Sequence, residues 1–173
     1  MTDQFHAAIR TIPDFPKPGI AFKDITPLLA NAGLFRQAID AFKARHLESR
    51  IDVVAGIEAR GFIFASALAY ALDAGFVPIR KPGKLPHAVH RKTYALEYGE
   101  DAIEIHADAF QTGQRILLVD DVLATGGTVA AATELIRSNF DVEIVEVDFL
   151  LELGFLGGRD RQPGQAVFSL LTI

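Results

Sequence analysis

The stretch that decides the fold is Ile116–Val129, which reads ILLVDDVLATGGTV. It begins with an apolar run and continues with two adjacent carboxylates, Asp120 and Asp121. An apolar run that is bounded by turn residues is typical of a buried parallel strand. The next segment, Ala124–Thr128, opens a pattern with helical spacing. The stretch therefore predicts a strand with an acidic end, then a glycine-rich turn, then a helix.

The glycine-rich turn Ala124–Thr128 has the residues expected of a phosphate-binding loop. Its two glycines permit positive φ and allow a ligand to approach the backbone closely. Backbone N–H groups at the start of a helix are unpaired and lie at the positive end of the helix dipole, so they bind anions. The hydroxyls of Thr125 and Thr128 add donors. The adjacent carboxylates would repel a lone phosphate. They indicate a ligand that also carries hydroxyl groups or a divalent cation, and a sugar phosphate bound with magnesium would supply both.

The composition narrows the class of protein. A chain of 173 residues is long enough for one domain with a full core. The net charge of -5 argues against broad binding of nucleic acid or membrane surfaces, which favours a basic face. The absence of cysteine excludes disulfides, thiolate metal ligands and cysteine nucleophiles. The most apolar stretch, Gly61–Leu72, is too short to cross a bilayer, and we expect a cytoplasmic protein.

Predicted strands and helices alternate along the chain, which indicates an α/β fold with an open, mostly parallel sheet flanked by helices. The predicted strands are Asp52–Ile57, Gly75–Arg80, Ile116–Val119, Val142–Leu151 and Ala166–Ile173, and the predicted helices start near Leu34, Phe62 and Gly127. Pro78 favours an edge position for its strand. Ile20–Thr26 is either a short edge strand or an ordered loop.

Three polar segments follow predicted strands, and these are Glu58–Gly61, Arg80–Lys84 and Asp120–Thr128. Ligands of open α/β sheets bind at the carboxyl ends of strands, so we expect the three segments to share one site. The polar segment from Lys81 to Asp101 has no clear pattern and is typical of a lid or a disordered excursion. No P-loop, dinucleotide-binding, nucleophile-elbow or HExxH motif is present in the sequence.

The segment Val119–Thr128 resembles the phosphoribosyl-pyrophosphate signature of the type I phosphoribosyltransferases. Further segments resemble the branch of that family that acts on adenine, and these are Pro18–Pro27, Gly56–Phe62, Arg80–Pro86 and Tyr94–Gly99. The resemblance implies the type I phosphoribosyltransferase fold in one domain over 1–173. It also implies a small N-terminal hood that binds the base, over about 1–33, and a flexible lid loop over about 82–101.

The resemblance further implies a reaction that joins adenine to phosphoribosyl pyrophosphate and gives AMP and pyrophosphate. It assigns the ribose to Asp120 and Asp121, which favour positive charge on the sugar ring. Mg²⁺ is expected as cofactor, held mainly by the substrate, with the same two acids as candidate contacts through water. The family is commonly homodimeric with an interface near the pyrophosphate turn, which implies a homodimer. The residues assigned to the 5′-phosphate are Ala124, Thr125, Gly126, Gly127 and Thr128.

The resemblance assigns the remaining residues to three groups. The pyrophosphate group consists of Glu58, Ala59, Arg60, Arg80, Lys81 and Lys84, with a cis peptide bond expected between Glu58 and Ala59. The adenine group consists of Ala21, Phe22 and Lys23, with the base stacked on Phe22. The catalytic group consists of Arg60, Asp120, Asp121 and Glu97, where Glu97 handles the adenine proton and Tyr98 helps to close the lid.

Other interpretations of these residues stay open at this point. Phe22 fits a core position, Arg60 fits a helix-start arginine paired with a surface acid, and Glu97 fits a solvated loop acid. The phosphate loop alone is equally compatible with a transferase for 6-oxopurines or orotate. A regulator that senses phosphoribosyl pyrophosphate and binds DNA or RNA is a further alternative, although the net charge is negative.

Overall fold

The computed structural model describes residues 2–95 and 99–173. Over these residues the central sheet has five parallel strands in the order β4-β3-β7-β8-β9. The helices are α1 (Thr2–Ala7), α2 (Thr26–Ala30), α3 (Ala32–His46), α4 (Gly61–Leu72) and α5 (Gly127–Asn139). The strands are β1 (Arg10–Ile12), β2 (Phe22–Asp24), β3 (Val53–Ile57), β4 (Gly75–Ile79), β5 (Val89–Ala95), β6 (Glu100–His106), β7 (Arg115–Leu123), β8 (Glu143–Glu152) and β9 (Val167–Thr172). The predicted open parallel α/β sheet is thus confirmed.

Two hydrophobic cores lie on opposite faces of this sheet. Successive residues of β7 alternate between them, because side chains of a strand point to opposite faces. Leu117 and Val119 belong to the core under α3 and α4, whereas Ile116 and Leu118 belong to the core under α5. All four are fully buried, so β7 is a central strand covered on both faces. β4 lies at the sheet edge, as Pro78 predicted.

The strand β7 is longer than the sequence pattern predicts. Asp120 still pairs with Phe149 of β8, and the pairing continues to Leu123. The acid pair therefore lies inside the last part of the strand rather than beyond its end. This difference matters for the site, because pairing with β8 fixes the backbone from which both carboxylates project.

The segment over about 82–101, predicted as a lid loop, contains two strands in the part that the structure describes. β5 pairs with β6 in an antiparallel hairpin whose register runs from Val89↔His106 to Ala95↔Glu100. Polar side chains dominate β5, so no alternation of apolar and polar residues marks it as a strand. The hairpin is anchored by β6, whose Ile103 and Ile105 are buried in the core under α5.

The N-terminal segment forms a second small sheet. β2 pairs antiparallel with β1, with Lys23 opposite Thr11. This resolves the alternative for Ile20–Thr26 in favour of a short strand, although one outside the central sheet. Among the described helices, none is long and apolar enough to cross a membrane.

Candidate active site

A cavity of about 360 Å³ lies where the N-terminal sheet faces the carboxyl ends of β7 and β8. It is lined by Ile20, Ala21, Phe22, Lys23, Arg60, Asp120, Asp121, Val122, Ala124, Leu153 and Leu156. Its volume falls in the range of small-molecule sites. The structure thus brings together three sets of residues that the sequence assigned separately, namely the adenine group, Arg60 and the acid pair.

A second, smaller cavity of about 80 Å³ is formed by the loop between β7 and α5, and Asp120 lines it as well. The structure brings all five residues that were assigned to the 5′-phosphate into its wall, and these are Ala124, Thr125, Gly126, Gly127 and Thr128. The cavity is the size of a small anion rather than of a base. The loop therefore forms a separate compartment beside the larger cavity.

Gly126 gives this loop its shape. It is the residue before α5 and has φ of 78°. A Cβ atom at this position would lie 2.4 Å from the carbonyl oxygen of Gly158, so only glycine fits. Because glycine has no side chain to cap the helix, the first N–H groups of α5 remain free for an anion.

Arg60 connects the turn after β3 to the acid pair. Its Nε lies 2.7 Å from Oδ2 of Asp121, whose side chain is buried. Its guanidinium carbon lies 4.9 Å from the centre of the Phe22 ring. Arg60 does stand at the start of a helix, as the N-cap of α4, but its acidic partner lies inside the site rather than on the surface.

The acid pair lies in an environment that opposes its charge. Burial, and next the charge of Asp121, raise the pKa of Asp120 well above its ordinary value. Burial also raises the pKa of Asp121, and Arg60 opposes this effect. Oδ1 of Asp120 accepts a hydrogen bond from the backbone N–H of Asp121 at 2.8 Å. A ligand with hydroxyl groups or positive charge would favour the ionised form of the pair.

Glu58 organises the cations that follow β4. Its carboxylate accepts hydrogen bonds from Arg80 Nε at 3.1 Å, from Lys84 Nζ at 2.6 Å and from the backbone N–H of Lys81 at 3.0 Å. Burial alone would raise the pKa of Glu58, but these donors outweigh it and lower the pKa to about 2. The peptide bond between Glu58 and Ala59 is cis, as the family resemblance implied.

Lys81 and the phosphate-binding loop are joined through the β5–β6 hairpin. The Lys81 ammonium forms an ion pair with Asp101. The Tyr94 hydroxyl lies 3.2 Å from Asp101 Oδ2 and 3.2 Å from Thr128 Oγ1. The sequence assigned no role to Tyr94 or Asp101. Glu97 and Tyr98, the predicted lid residues, lie outside the described residues.

Comparison with known proteins identifies the family. Residues 24–152 match the phosphoribosyl transferase domain. The chain is 56% identical to adenine phosphoribosyltransferase of Geobacter metallireducens over 98% of this chain and 99% of that protein. The chain belongs to the phosphoribosyltransferase family, among the adenine phosphoribosyltransferases.

Solved structures of this family have the same fold as the chain. The crystal structure of adenine phosphoribosyltransferase from Thermoanaerobacter pseudethanolicus matches with a TM-score of 0.94 and 48% identity, covering 100% of both chains. The enzyme from Saccharomyces cerevisiae, complexed with adenine and D-2,5-dideoxy-2,5-imino-altritol 1,6-bisphosphate, matches with a TM-score of 0.91 and 42% identity. That match covers 98% of this chain and 97% of the other. The predicted type I phosphoribosyltransferase fold is confirmed.

Sequence reasoning assigned no role to four residues that line the larger cavity, and these are Ile20, Val122, Leu153 and Leu156. Leu153 and Leu156 follow the carboxyl end of β8, and Leu156 belongs to a 3-10 turn at Gly154–Leu156. A signal was available, because ligands of parallel sheets bind beyond the carboxyl ends of strands and β8 ends at the same edge as β7. The apolar pair Phe155 and Leu156 between glycines gave no motif that would have directed attention to it.

Proposed function

We propose that the chain transfers the 5-phosphoribosyl group of phosphoribosyl pyrophosphate to adenine and releases AMP and pyrophosphate, as in purine salvage. The observation that carries this proposal is the cavity in which Phe22, Arg60 and the acid pair meet, beside the loop of the smaller cavity. One end of the larger cavity is apolar and suits a neutral base. The other end presents carboxylates to a sugar.

Adenine binds between the N-terminal strand β2 and the 3-10 turn after β8. Phe22 offers one ring face to the base, because Arg60 lies against its ring. Base stacking on an aromatic ring contributes about 1–3 kcal/mol. The Lys23 ammonium donates to Thr11 Oγ1 at 2.9 Å, so the backbone of this residue, rather than its charge, faces the base. Leu153 and Leu156 supply apolar contact on the other side.

The ribose 5-phosphate binds across β7 and the start of α5. The N–H groups of Gly126–Thr128 and the hydroxyls of Thr125 and Thr128 hold the phosphate. Asp120 and Asp121 accept hydrogen bonds from the ribose hydroxyls. As the anomeric bond breaks, the ring gains positive charge, and the two carboxylates stabilise it because they are fixed in place and poorly hydrated.

The pyrophosphate group binds to the turn after β3 and to the cations after β4. Arg60, Arg80, Lys81 and Lys84 neutralise its charge, and backbone N–H groups of the turn at Ala59 add donors. Glu58 does not bind pyrophosphate through its carboxylate, which is already occupied by Arg80 and Lys84. Its role is to hold these cations in position, and this refines its assignment to the pyrophosphate group.

The carboxylate oxygens of the acid pair fit a magnesium ion that is bound to the substrate. Asp121 Oδ2 lies 2.7 Å from the Arg60 cation, which disfavours a metal contact there. Asp120 has no ion-pair partner among the described residues and lines both cavities, so it is the better contact through water. Mg²⁺ supplies charge neutralisation at the leaving pyrophosphate. Carboxylate and water oxygens are the ligands it prefers.

Glu97 remains the proposed group for the adenine proton, and Tyr98 the proposed lid partner. We expect Glu97→Gln to lower kcat by about 10²-fold, since a positioned general base contributes on the order of 10²–10⁴-fold. The KM for phosphoribosyl pyrophosphate should change little. Single-turnover kinetics with adenine measure this, and an unchanged rate would remove the assignment.

The proposed assembly is a homodimer whose interface includes the groove between α3 and α4. This groove of about 690 Å³ is lined by apolar residues, among them Phe35, Ile39 and Ile63. The Tyr70 ring beside them is 90% exposed. The helix α4 begins directly after the pyrophosphate turn, so this face lies next to the site. Sedimentation of the wild-type chain and of Tyr70→Glu should show a dimer and a monomer, respectively.

The decisive experiment is product analysis with each purine base, orotate, phosphoribosyl pyrophosphate and Mg²⁺. AMP from adenine, with no product from hypoxanthine, guanine or orotate, supports the proposal. A product from a 6-oxopurine or orotate at a similar rate would favour another transferase of this fold. The absence of any product, together with nucleic acid that copurifies, would favour a regulator. Cytoplasmic location stays a prediction from the sequence that cell fractionation tests.

A further inference from the structure

Every cation in the predicted pyrophosphate group has a carboxylate partner in the structure. Arg60 is paired with Asp121, Arg80 and Lys84 are paired with Glu58, and Lys81 is paired with Asp101. Pyrophosphate therefore enters a site in which each of these cations is already paired with a carboxylate. It must share each cation with an internal acid or displace that acid.

Glu58 and Asp101 differ in how accessible they are to an incoming anion. Glu58 accepts hydrogen bonds from Arg80, Lys84 and the backbone N–H of Lys81, and its side chain is 11% exposed. Asp101 accepts hydrogen bonds from the Lys81 ammonium, the Tyr94 hydroxyl and the backbone N–H of Ala102, but its side chain is 29% exposed. Asp101 also stands on a hairpin outside the central sheet. An incoming anion can reach Asp101 more easily than Glu58, so Asp101 is the replaceable partner.

Tyr94 is placed to hold Asp101 at Lys81. The hairpin register puts Tyr94 directly opposite Asp101. The Tyr94 hydroxyl lies 3.2 Å from Asp101 Oδ2, and the Lys81 nitrogen lies 5.9 Å from the centre of the Tyr94 ring. The same hydroxyl lies 3.2 Å from Thr128 Oγ1 in the phosphate-binding loop. One side chain therefore contacts groups at both predicted phosphate subsites.

We propose that Asp101 is an internal counter-anion of the pyrophosphate site, which competes with the pyrophosphate group of the substrate for the Lys81 ammonium, and that Tyr94 holds Asp101 in this position. The inference rests on the proposed function, because it takes Lys81 as a pyrophosphate ligand. Asp101 thereby lowers the affinity for substrate and product pyrophosphate alike. It also keeps the ammonium in place between turnovers.

The charges of the pair are consistent with this role. Burial opposes the charge of Lys81, but the contacts with Asp101 and Tyr94 together outweigh it and raise the pKa of the ammonium. Burial likewise opposes the charge of Asp101, but Lys81, the backbone N–H of Ala102 and Tyr94 together outweigh it and lower the pKa of the carboxyl. Both groups are therefore ionised at neutral pH. Partly exposed ion pairs contribute little net stability, so a multiply charged anion can displace the carboxylate.

The test is the affinity for inorganic pyrophosphate with Mg²⁺, measured by titration calorimetry on the full chain. Asp101→Asn should bind pyrophosphate about fivefold more tightly than wild type, the upper end of the effect of a partly exposed pair. Glu100→Gln is the matched control, since it removes the same charge from an exposed neighbour on β6. It should change the affinity by less than about 1.5-fold. Unchanged or weaker binding by Asp101→Asn, or an equal gain in the control, would overturn the proposal.

Tyr94→Phe gives a second, independent variant. It keeps the ring but removes the hydroxyl that holds Asp101, so pyrophosphate binding should tighten by about twofold. In the background of Asp101→Asn the same change should give no further gain, because residues that act through one contact are not additive. A full additive gain in the double variant would overturn the role of Tyr94 as the residue that positions Asp101.

Steady-state kinetics separate this proposal from the proposed function. In Asp101→Asn the KM for phosphoribosyl pyrophosphate should fall, whereas the KM for adenine should stay unchanged. A structural role would move both. If the wild-type chain forms no AMP but Asp101→Asn still binds pyrophosphate more tightly, the transferase activity is overturned and the counter-anion role is supported.

Discussion

Two clusters of buried or half-buried acids lie on the central sheet, and they are built in opposite ways. One is the Asp120–Asp121 pair with Arg60, which lines the larger cavity. The other consists of Asp148 and Glu146 on β8, facing His46 and Arg45 at the end of α3. The first opens onto space for a ligand. The second is closed between a helix and the sheet and lines neither cavity of the candidate site.

The difference lies in how the charges are balanced. In the second cluster, Asp148 is 0% exposed and lies 2.7 Å from His46 Nε2. Glu146 receives two hydrogen bonds from Arg45, at 2.5 Å and 2.7 Å. The first cluster has two adjacent carboxylates for one arginine. In the second cluster each acid has a basic side chain as partner, although Oδ1 of Asp148 is buried without a hydrogen-bond partner among the described residues. The first cluster leaves one of its two carboxylates without a basic partner and open to the cavity, where a ligand can reach it.

Loss of the closed cluster should have the largest effect on stability. Asp148→Ala would remove the hydrogen-bond partner of the buried His46 Nε2, whose next acid, Glu146, lies 3.6 Å away, and a buried polar group that loses its hydrogen bond costs about 1–3 kcal/mol. Urea unfolding should show a loss of this size in the free energy of unfolding, while kcat of the folded variant stays within about twofold of wild type. Asp108→Ala, at an exposed acid, is the control and should change neither quantity. A variant that is as stable as wild type but has a low kcat would show that this cluster serves catalysis rather than stability.

Asp121→Asn should show the opposite pattern. Removal of a group that stabilises charge in the transition state costs about 10²–10³-fold in kcat. The melting temperature should not fall, because the variant relieves repulsion from Asp120 and keeps a polar partner for Arg60. Arg60→Ala should likewise lower kcat far more than it lowers stability. Stopped assays of AMP formation and thermal unfolding on the same samples test both, and normal turnover in either variant would end its assigned role.

Two acids of the candidate site should also respond to pH with opposite signs. The pKa of Glu58 is lowered to about 2, so its contribution to stability is present above the unfolded value near 4.5 and is lost as the pH falls toward 2. The pKa of Asp120 is raised, so its burial costs stability as the pH rises above the unfolded value of 3.8. Each unit between the folded and unfolded pKa is worth about 1.4 kcal/mol.

Unfolding curves across pH should separate the two groups. Glu58→Gln should remove part of the loss of stability below about pH 4.5, and Asp120→Asn should be more stable than wild type at neutral pH. Equal stability of wild type and Asp120→Asn at pH 7 would mean that the carboxylate is balanced by another group, and would weaken the contrast between the two clusters.

The sequence predicted the parts of this molecule that depend on local pattern. β7 and α5 follow from an apolar run and a glycine-rich turn, and their ligand-binding edge follows from the parallel topology. The Arg60–Asp121 contact joins residues about sixty positions apart. No local pattern encodes such a contact. The family resemblance indicated both residues as functional, but it did not pair them.

Three features escaped the sequence for identifiable physical reasons. β5 is mostly polar, because its hairpin stands outside the central sheet, and hydrophobic periodicity therefore did not reveal it. His46 and Asp148 are polar side chains buried in the protein, where apolar residues are the expectation. Leu156 is an exposed apolar residue in a glycine-rich turn, and it acquires meaning only from the cavity that it lines.

The smallest expected effect concerns Leu156, and it tests whether the apolar end of the larger cavity binds the base. The side chain is 41% exposed, so Leu156→Ser should change the free energy of unfolding by less than about 0.5 kcal/mol. Loss of partial apolar contact with adenine should raise its KM by about three- to tenfold, equivalent to about 1 kcal/mol. The KM for phosphoribosyl pyrophosphate should not change.

Phe155→Ser is the matched control, because Phe155 is the next apolar residue of the same turn, is 72% exposed and does not line the cavity. It should leave both KM values unchanged. If the two variants raise the KM for adenine equally, the effect comes from the turn as a whole. If only Leu156→Ser raises it, the apolar wall contributes to base binding directly, and the neutral end of the cavity is distinguished from its acidic end by function as well as by composition.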